Sequence, residues 1–526
     1  MKNITNYLLI FTFIFIAYGC TDDFEETNTD PNGISEESLK QMNNNIGNEF
    51  DPMFLSVLKV TPEPQYQLQQ NLIGDIYSGY MTPPTPFAGN VNNMTYALVD
   101  SWNGTPWSIA YSEIMPKALN IKNAVADSEN ASSQKFLFLG NIIKVFGMHR
   151  VADIYGPIRY SKFDDFETTG QYDSQEQAYL EFFDELGEAI DGLEQYTGDT
   201  QFQSFDKSSF AGDISKWRMF ANSLRLRLAI RVSKVDPELA KTQGELALNS
   251  NAGLLETEDI FINSGGSKHP INTITNVWGD IRMSAEAESI LNGYDDPRIE
   301  KYFSPASGEG LSNNYKGIRM GVNIESKGTY LGHSPLGSIV DTEEIVWMTA
   351  AEVKFLKAEA ALRGWDGAGN AQANYEAGIS ASFNQHGVSG LSDYLADDTS
   401  TPADYVDDMN PDNNYAYPSD VKIAFNTSGT NEEKLEQIIT QKWIAMFPEG
   451  QEAWSEFRRT GYPRIFPVVV NNSGNTINTQ EQIKRINFVQ DEINTNTSNV
   501  QDAETLLEGS DNGGTALWWD VDGSNF

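Results

Sequence analysis

The sequence predicts a mostly α-helical protein with elaborate loops and few short strands. Three observations carry this. Apolar residues recur at three- and four-residue spacing through much of the chain, behind residues able to cap helix N-termini. Long stretches rich in Gly, Asn and Pro separate these segments. Runs with the two-residue alternation of a half-buried strand are scarce.

Helices are expected first at 107–126 and 134–150. Over 174–193, Ser174 and Gln177 make a capping box, and Tyr179, Phe182, Phe183, Leu186, Ile190 and Leu193 form the apolar stripe. Over 213–235, Asp213 caps, Trp217, Phe220, Leu224 and Leu228 line one face, and Asp236-Pro237 ends the helix. Thr349 and Glu352 make a second box ahead of Val353, Leu356 and Ala360, and a helix at 370–386 follows. Over 431–447, Asn431 caps while Leu435, Ile438, Ile439, Trp443 and Met446 face inward; 451–459 is the last helix. No strict repeat period is visible, but helix pairs joined by short turns point to a degenerate TPR-like array. The loops at 82–106, 161–172, 194–212, 263–345 and 387–430 are long enough to suggest function. Strand candidates are Leu254–Ile262 and Pro467–Asn471.

Composition bounds the function. The 526 residues carry 36 Lys+Arg against 74 Asp+Glu, a net charge of −38. That balance argues against nucleic acid and against electrostatic docking on anionic lipid, both of which need clustered cations. One cysteine rules out a disulfide framework and a multi-cysteine zinc site. Residues 1–19 hold one charge, Lys2, and an apolar run from Tyr7 to Ala17. The run is short for a membrane span and right for a secretory signal. It ends in Tyr18-Gly19-Cys20, and this small residue before the lone cysteine resembles the lipobox of bacterial lipoproteins. The resemblance implies cleavage after residue 19, acylation of Cys20, and anchoring by several acyl chains. Without Lys2 the charge becomes −39. Thr21-Asp22-Asp23-Phe24-Glu25-Glu26 resembles the surface-export signal of Bacteroidetes lipoproteins. The expected organisation is therefore a signal peptide at 1–19, a lipidated acidic tether at 20–50, and a single domain over 51–526.

The search for catalytic chemistry returns little. His149, His269, His333 and His386 are scattered and fit no metalloprotease motif. Gly332-His333-Ser334-Pro335 falls short of a nucleophile elbow, since Pro335 lacks the N–H that an oxyanion hole needs. Phosphate-loop and dinucleotide fingerprints are absent, and no carboxylate pair stands out. The acids of 391–421, or Asp520-Val521-Asp522-Gly523, offer oxygens to Ca²⁺ but lack EF-hand spacing, so no cofactor is expected. What stands out is aromatic residues in loops. Tyr96 and Trp102 lie among asparagines and acids, and a second loop reads Asn276-Val277-Trp278-Gly279-Asp280-Ile281-Arg282. An aromatic face stacks on the C–H face of a sugar while amides, carboxylates and guanidinium pair with hydroxyls. Trp278, Trp102, Tyr96, Asn276, Asp280 and Arg282 are thus the candidate glycan contacts. Trp107, Trp217, Trp347, Trp443 and Trp454 are assigned to the core.

Several segments together resemble the SusD/RagB family, in its SusD-like branch. They are Asn28-Thr29-Asp30-Pro31-Asn32 behind the lipobox, Ala350–Trp365 with its Arg363-Gly364-Trp365 turn, and Tyr375-Glu376-Ala377-Gly378-Ile379. Ile438–Ala445, Glu452–Gly461, Arg485 ahead of Glu492, Asn496 and Asn499, and the closing Trp518-Trp519-Asp520 complete the set. One departure is Phe488-Val489-Gln490, where the family often has Tyr-Pro. The resemblance implies TPR-like helix pairs packed against an irregular, loop-rich half. It also implies a place on the outer face of the outer membrane, as a lid on a SusC-like TonB-dependent transporter that receives captured oligosaccharide without catalysis. Binding residues vary within the family, so none transfers by motif. A lipoprotein glycosidase and a RagB-like peptide-binding lid are the alternatives. The negative surface favours a neutral glycan, with a laminarin-type β-glucan as the expectation within that class.

Overall fold

A computed structural model describes residues 43–128, 130–163 and 170–526. The signal segment, Cys20, the acidic residues behind it and Asn28–Asn32 lie outside the described residues. Ile46 and Phe50 are already buried, so the chain has entered the core before residue 51.

The major helices are α1 (Phe50–Val57), α2 (Met115–Ala126), α3 (Gln134–Tyr155), α4 (Gln175–Gly192), α5 (Ile214–Arg231) and α6 (Pro237–Leu248). After a long loop-rich stretch containing α7 (Ala285–Gly293) come α8 (Ala350–Leu362), α9 (Ala371–His386), α10 (Asn431–Ala445) and α11 (Gly450–Thr460). Helices α3 to α6 pack each on the next, α5 packs on α8, and α8 packs on both α9 and α10. This is the expected array of helix pairs. The strands are short. β1 (Met81–Thr82) pairs with β3 (Arg282–Met283), and β2 (Ile260–Asn263) pairs with β4 (Glu344–Met348), both antiparallel.

The caps are largely where the sequence puts them. Ser174 Oγ accepts from the N–H of Gln177 at 3.1 Å, Asp213 accepts from Ser215 at 2.8 Å, and Thr349 accepts from Glu352 at 3.1 Å. Three readings need correction. The cap of α10 is Thr430, not Asn431, in a full capping box with Glu433 (3.2 and 2.7 Å). Helix α5 stops at Arg231, with Val232 as its C-cap, so Asp236-Pro237 does not end it but starts α6: Asp236 accepts from Leu239 N–H at 2.9 Å, and Pro at the first helical position sacrifices no bond. Pro467–Asn471 forms no strand, although the N–H groups of Val469 and Val470 donate to Met320 and Gly321 at 3.1 and 3.0 Å.

Close packing explains residues of the family pattern. Trp365, after the Arg363-Gly364 turn, lies flat on α6, where a Cβ on Gly244 would sit 2.3 Å from its ring. Arg363 donates to Glu359 at 2.7 Å and to the carbonyl of Asn525 at 3.0 Å, tying the C-terminal residues to α8. Charges are buried where α5, α8, α10 and α11 meet. Arg227 forks onto Glu352 (2.7 and 2.7 Å), Arg459 forks onto Glu359 (2.7 and 2.7 Å), and Arg231 donates to Glu452 at 2.5 Å. Burial pushes the Glu456 carboxyl up, but Arg459, Lys442 and Arg231 outweigh it and hold the group well below the carboxylate range. These pairs are geometrically specific rather than strongly stabilising, because desolvation consumes most of the Coulomb gain. The five tryptophans assigned to the core are all buried.

Candidate functional site

The loops 82–106 and 263–345 meet at the β1–β3 ladder, and three of their segments converge beside it. Chain 273–282 starts as one irregular helical turn and leaves Asn276 and Val277 exposed, Val277 by 73%. Trp278 follows, half-buried, with one side packed on the loop-rich core. Gly279 has φ +68°, and a Cβ there would meet Leu331 Cδ1 at 2.9 Å. The glycine therefore lets Leu331, itself 40% exposed, close against the Trp278 turn.

A single lysine locks this arrangement. Lys327 Nζ donates to the carbonyl oxygen of Trp278 and to Asp280 Oδ1, both at 2.6 Å. The same Asp280 oxygen accepts from Thr85 Oγ1 at 2.6 Å, which ties in the third segment. Asn90 Nδ2 adds bonds to Asn323 Oδ1 (3.1 Å) and the Ile324 carbonyl (2.9 Å). The result is an aromatic platform on a loop braced from two sides. Phe87, two residues after Thr85, meets Trp102 edge-on at 5.6 Å, with Trp102 half-buried.

The structure sorts the six sequence candidates. Trp278, Asn276 and Trp102 are at the surface. Asp280 is adjacent but committed to Lys327 and Thr85. Tyr96 is a core residue, 1% exposed and packed 6.3 Å from Tyr77, so it cannot face a ligand. Arg282 is also internal. Its Nε donates to the Leu331 carbonyl at 2.9 Å, and its Nη1 to Thr275 and Ile281 at 3.0 and 2.6 Å. Its role is to hold the loop. Burial lowers its pKa to about 10, against the pull of Asp280, so it stays cationic at neutral pH. Sequence reasoning missed Lys327, Thr85 and Leu331. Lys327 is 47 residues from Asp280 and Thr85 is 195 away, separations at which no periodicity speaks.

Ser334, the histidines and the acids singled out from sequence have these surroundings. Ser334 is fully buried, and its Oγ accepts from Lys316 N–H at 2.9 Å. Burial lowers His269 to about 3 and His333 and His386 to about 4, and holds His149 well below its ordinary value. All four imidazoles are therefore neutral at pH 7. In the acidic loop, Asp407 accepts from Tyr330 Oη and Asn413 Nδ2, both at 2.8 Å, and Asp408 pairs with Lys316 at 2.7 Å. Asp520 pairs with Lys484 at 3.0 Å. Among the described residues, no group of three His, Cys, Asp or Glu is placed to hold a metal ion.

Residues 26–520 match the family model described as SusD-like, Susd and RagB outer membrane lipoprotein. The chain belongs to the SusD-like family. Among solved structures, a chitin-binding SusD homolog from Flavobacterium johnsoniae shares 48% identity and superposes with a TM-score of 0.88, covering 91% of this chain and 100% of its own. A SusD homolog from Bacteroides vulgatus is 36% identical, with a TM-score of 0.87 and coverages of 94% and 100%. A SusD-like protein from Bacteroides thetaiotaomicron is 33% identical, with a TM-score of 0.85 and coverages of 91% and 99%. No functionally curated protein matches the chain. The SusD-like residues named from sequence have structural roles. Arg485 donates to the Tyr155 carbonyl at 2.9 Å and to Asp511 at 2.6 Å. Glu492 accepts from Tyr172 at 2.8 Å and from Asn496 at 3.0 Å. No described helix is long and apolar enough to cross a membrane.

Proposed function

We propose that this SusD-like protein is a lipid-anchored glycan-binding protein of the cell surface, which captures a neutral oligosaccharide and passes it to a SusC-like TonB-dependent transporter without cleaving it. The observation that carries the reading is the half-exposed Trp278 on a loop braced by Lys327, Asp280 and Thr85. A pre-set aromatic face binds a pyranose ring with little ordering cost. Asn276 and Trp102 add an amide and a second ring at the surface. The net charge of −38 supports an uncharged chain over a sulfated or uronate-rich one.

Within the neutral class, the 48% identical chitin-binding homolog favours a β-linked N-acetylglucosamine chain over the laminarin-type β-glucan expected from sequence. Isothermal calorimetry with chitohexaose and laminarihexaose separates the two. Trp278→Ala should weaken the bound sugar at least tenfold at an unchanged melting temperature. Normal binding with early melting would make Trp278 a core residue. Release of shorter sugars on incubation would instead identify a glycosidase, and tight binding to alginate would refute the neutral class.

A further inference from the structure

A groove of about 720 Å³ lies between the turns that follow Asp100 and the segment 489–492. Its floor is the edge of Trp107, 5% exposed and wedged among Tyr111 (4.4 Å), Tyr155 (5.4 Å, edge-on) and Tyr172 (5.7 Å, stacked). Its far wall is fixed by Glu492, which pairs with Arg159 at 3.2 Å besides accepting from Tyr172 and Asn496. Floor and wall are thus rigid. The rim is not used internally: Asp100, Ser101, Ser108 and Asp491 are exposed, and among the described residues no hydrogen bond engages their side-chain oxygens.

The lining selects its ligand. Among the described residues it contains Asp100, Asp491 and Glu492 and neither Lys nor Arg, which disfavours phosphate, sulfate and uronate. It is built from helical turns and a helix start, so it offers no strand edge to an extended peptide. An aromatic floor under a rim of hydroxyls and carboxylates suits the alternating C–H and O–H surface of an uncharged sugar. The volume falls inside the roughly 300–1,000 Å³ of small-molecule sites. The short helix Asp100–Asn103 carries both faces: Trp102 leaves it toward Phe87, while Asp100 and Ser101 border the groove.

We infer that this groove is a second carbohydrate-contact site, which takes a further stretch of the same neutral oligosaccharide. The inference rests on the glycan reading above. Two weak contacts on one chain raise affinity for long ligands by effective concentration, without a tighter site.

The test is calorimetry of chitohexaose and chitobiose on the full chain and on Ser108→Arg, which fills the groove from an exposed position, and Asp491→Ala, which removes one rim acceptor. Both variants should melt as the parent does, lose at least fivefold affinity for chitohexaose, and bind chitobiose within twofold. Unchanged chitohexaose binding by both variants overturns the inference while leaving the Trp278 reading intact. Loss of both sugars in Ser108→Arg, with neither lost in Trp278→Ala, keeps the groove as a sugar site and overturns the Trp278 platform. A parent chain that binds neither sugar overturns both.

Discussion

Replacing Lys327 with Met tests whether the Trp278 platform is held ready for its ligand. The substitution keeps the length of the side chain and removes its charge. It leaves Asp280, whose side chain is 16% exposed, with Thr85 as its partner, and leaves the Trp278 carbonyl without its 2.6 Å donor. A hydrogen bond to a charged group is worth roughly 1.5–3 kcal/mol when shielded, and an exposed ion pair roughly 0.2–1 kcal/mol. Lys327 is 33% exposed, so the two bonds together sit between these limits, at about 1–2 kcal/mol after screening. If sugar binds only the braced orientation, that free energy reappears as lost affinity, roughly 5- to 30-fold. The same loss lowers the melting temperature of a chain this size by only about 1–2 °C. Calorimetry with the bound hexasaccharide and a thermal melt read the two effects separately. Lys327→Arg, which can donate to both oxygens, should recover most of the affinity. Binding within twofold of the parent in Lys327→Met would refute the reasoning: the clamp would then stabilise the loop without serving the platform.

Three further outcomes follow. Arg459→Met removes the guanidinium that bonds Glu359 (2.7 and 2.7 Å) and Glu456 (2.7 Å) and leaves two buried carboxylates under-paired; it should cost about 3–5 kcal/mol in urea unfolding, and a loss below about 1 kcal/mol would contradict the buried network. Burial raises Asp75, Glu286 and Glu288 to about 7, above their unfolded values of 3.8, 4.5 and 4.5, against the hydrogen bonds each accepts. The folded state therefore holds extra protons in this window, and stability should fall as pH rises from about 4.5 to about 7. Glu359 and Glu456 are held low despite burial, by Arg459 and its neighbours, so their contribution is lost as pH falls below about 4.5. Melting temperature should peak near pH 5, and Glu286→Gln should flatten the alkaline limb; a profile level from pH 5 to 7.5 would speak against these shifts. Cys20→Ser should move the protein from the outer-membrane fraction to the soluble one, and its retention in the membrane would rule out the lipid anchor.

Most helices were legible from sequence, because a helix is a local object. Ser174, Asp213 and Thr349 cap within three residues of themselves, and the stripe from Trp217 to Leu228 repeats within one element. Even the errors were local ones: Thr430 precedes Asn431 by one position, and Asp236-Pro237 opens a helix a few residues after the previous one has stopped at Arg231. Strand β4 was invisible because its partner Ile260–Asn263 lies some eighty residues earlier and neither strand alternates for long.

The candidate site divides the same way. Loop aromatics flanked by Asn, Gly and Asp were visible as residue types, and Trp278 and Trp102 do reach the surface. Their neighbours Tyr96 and Arg282 share that composition, yet one is buried against Tyr77 and the other is bonded to three carbonyls. Composition does not say which side of a loop faces inward. The sequence by itself determined the helical class and the family, since caps, periodicity and ordered motifs are short-range signals. Only the tertiary structure decided which side chains the loops present. The lysine that braces the platform, the acid it grips and the threonine that shares that acid come from three distant segments, and their pairing exists only once the β1–β3 ladder brings those segments together.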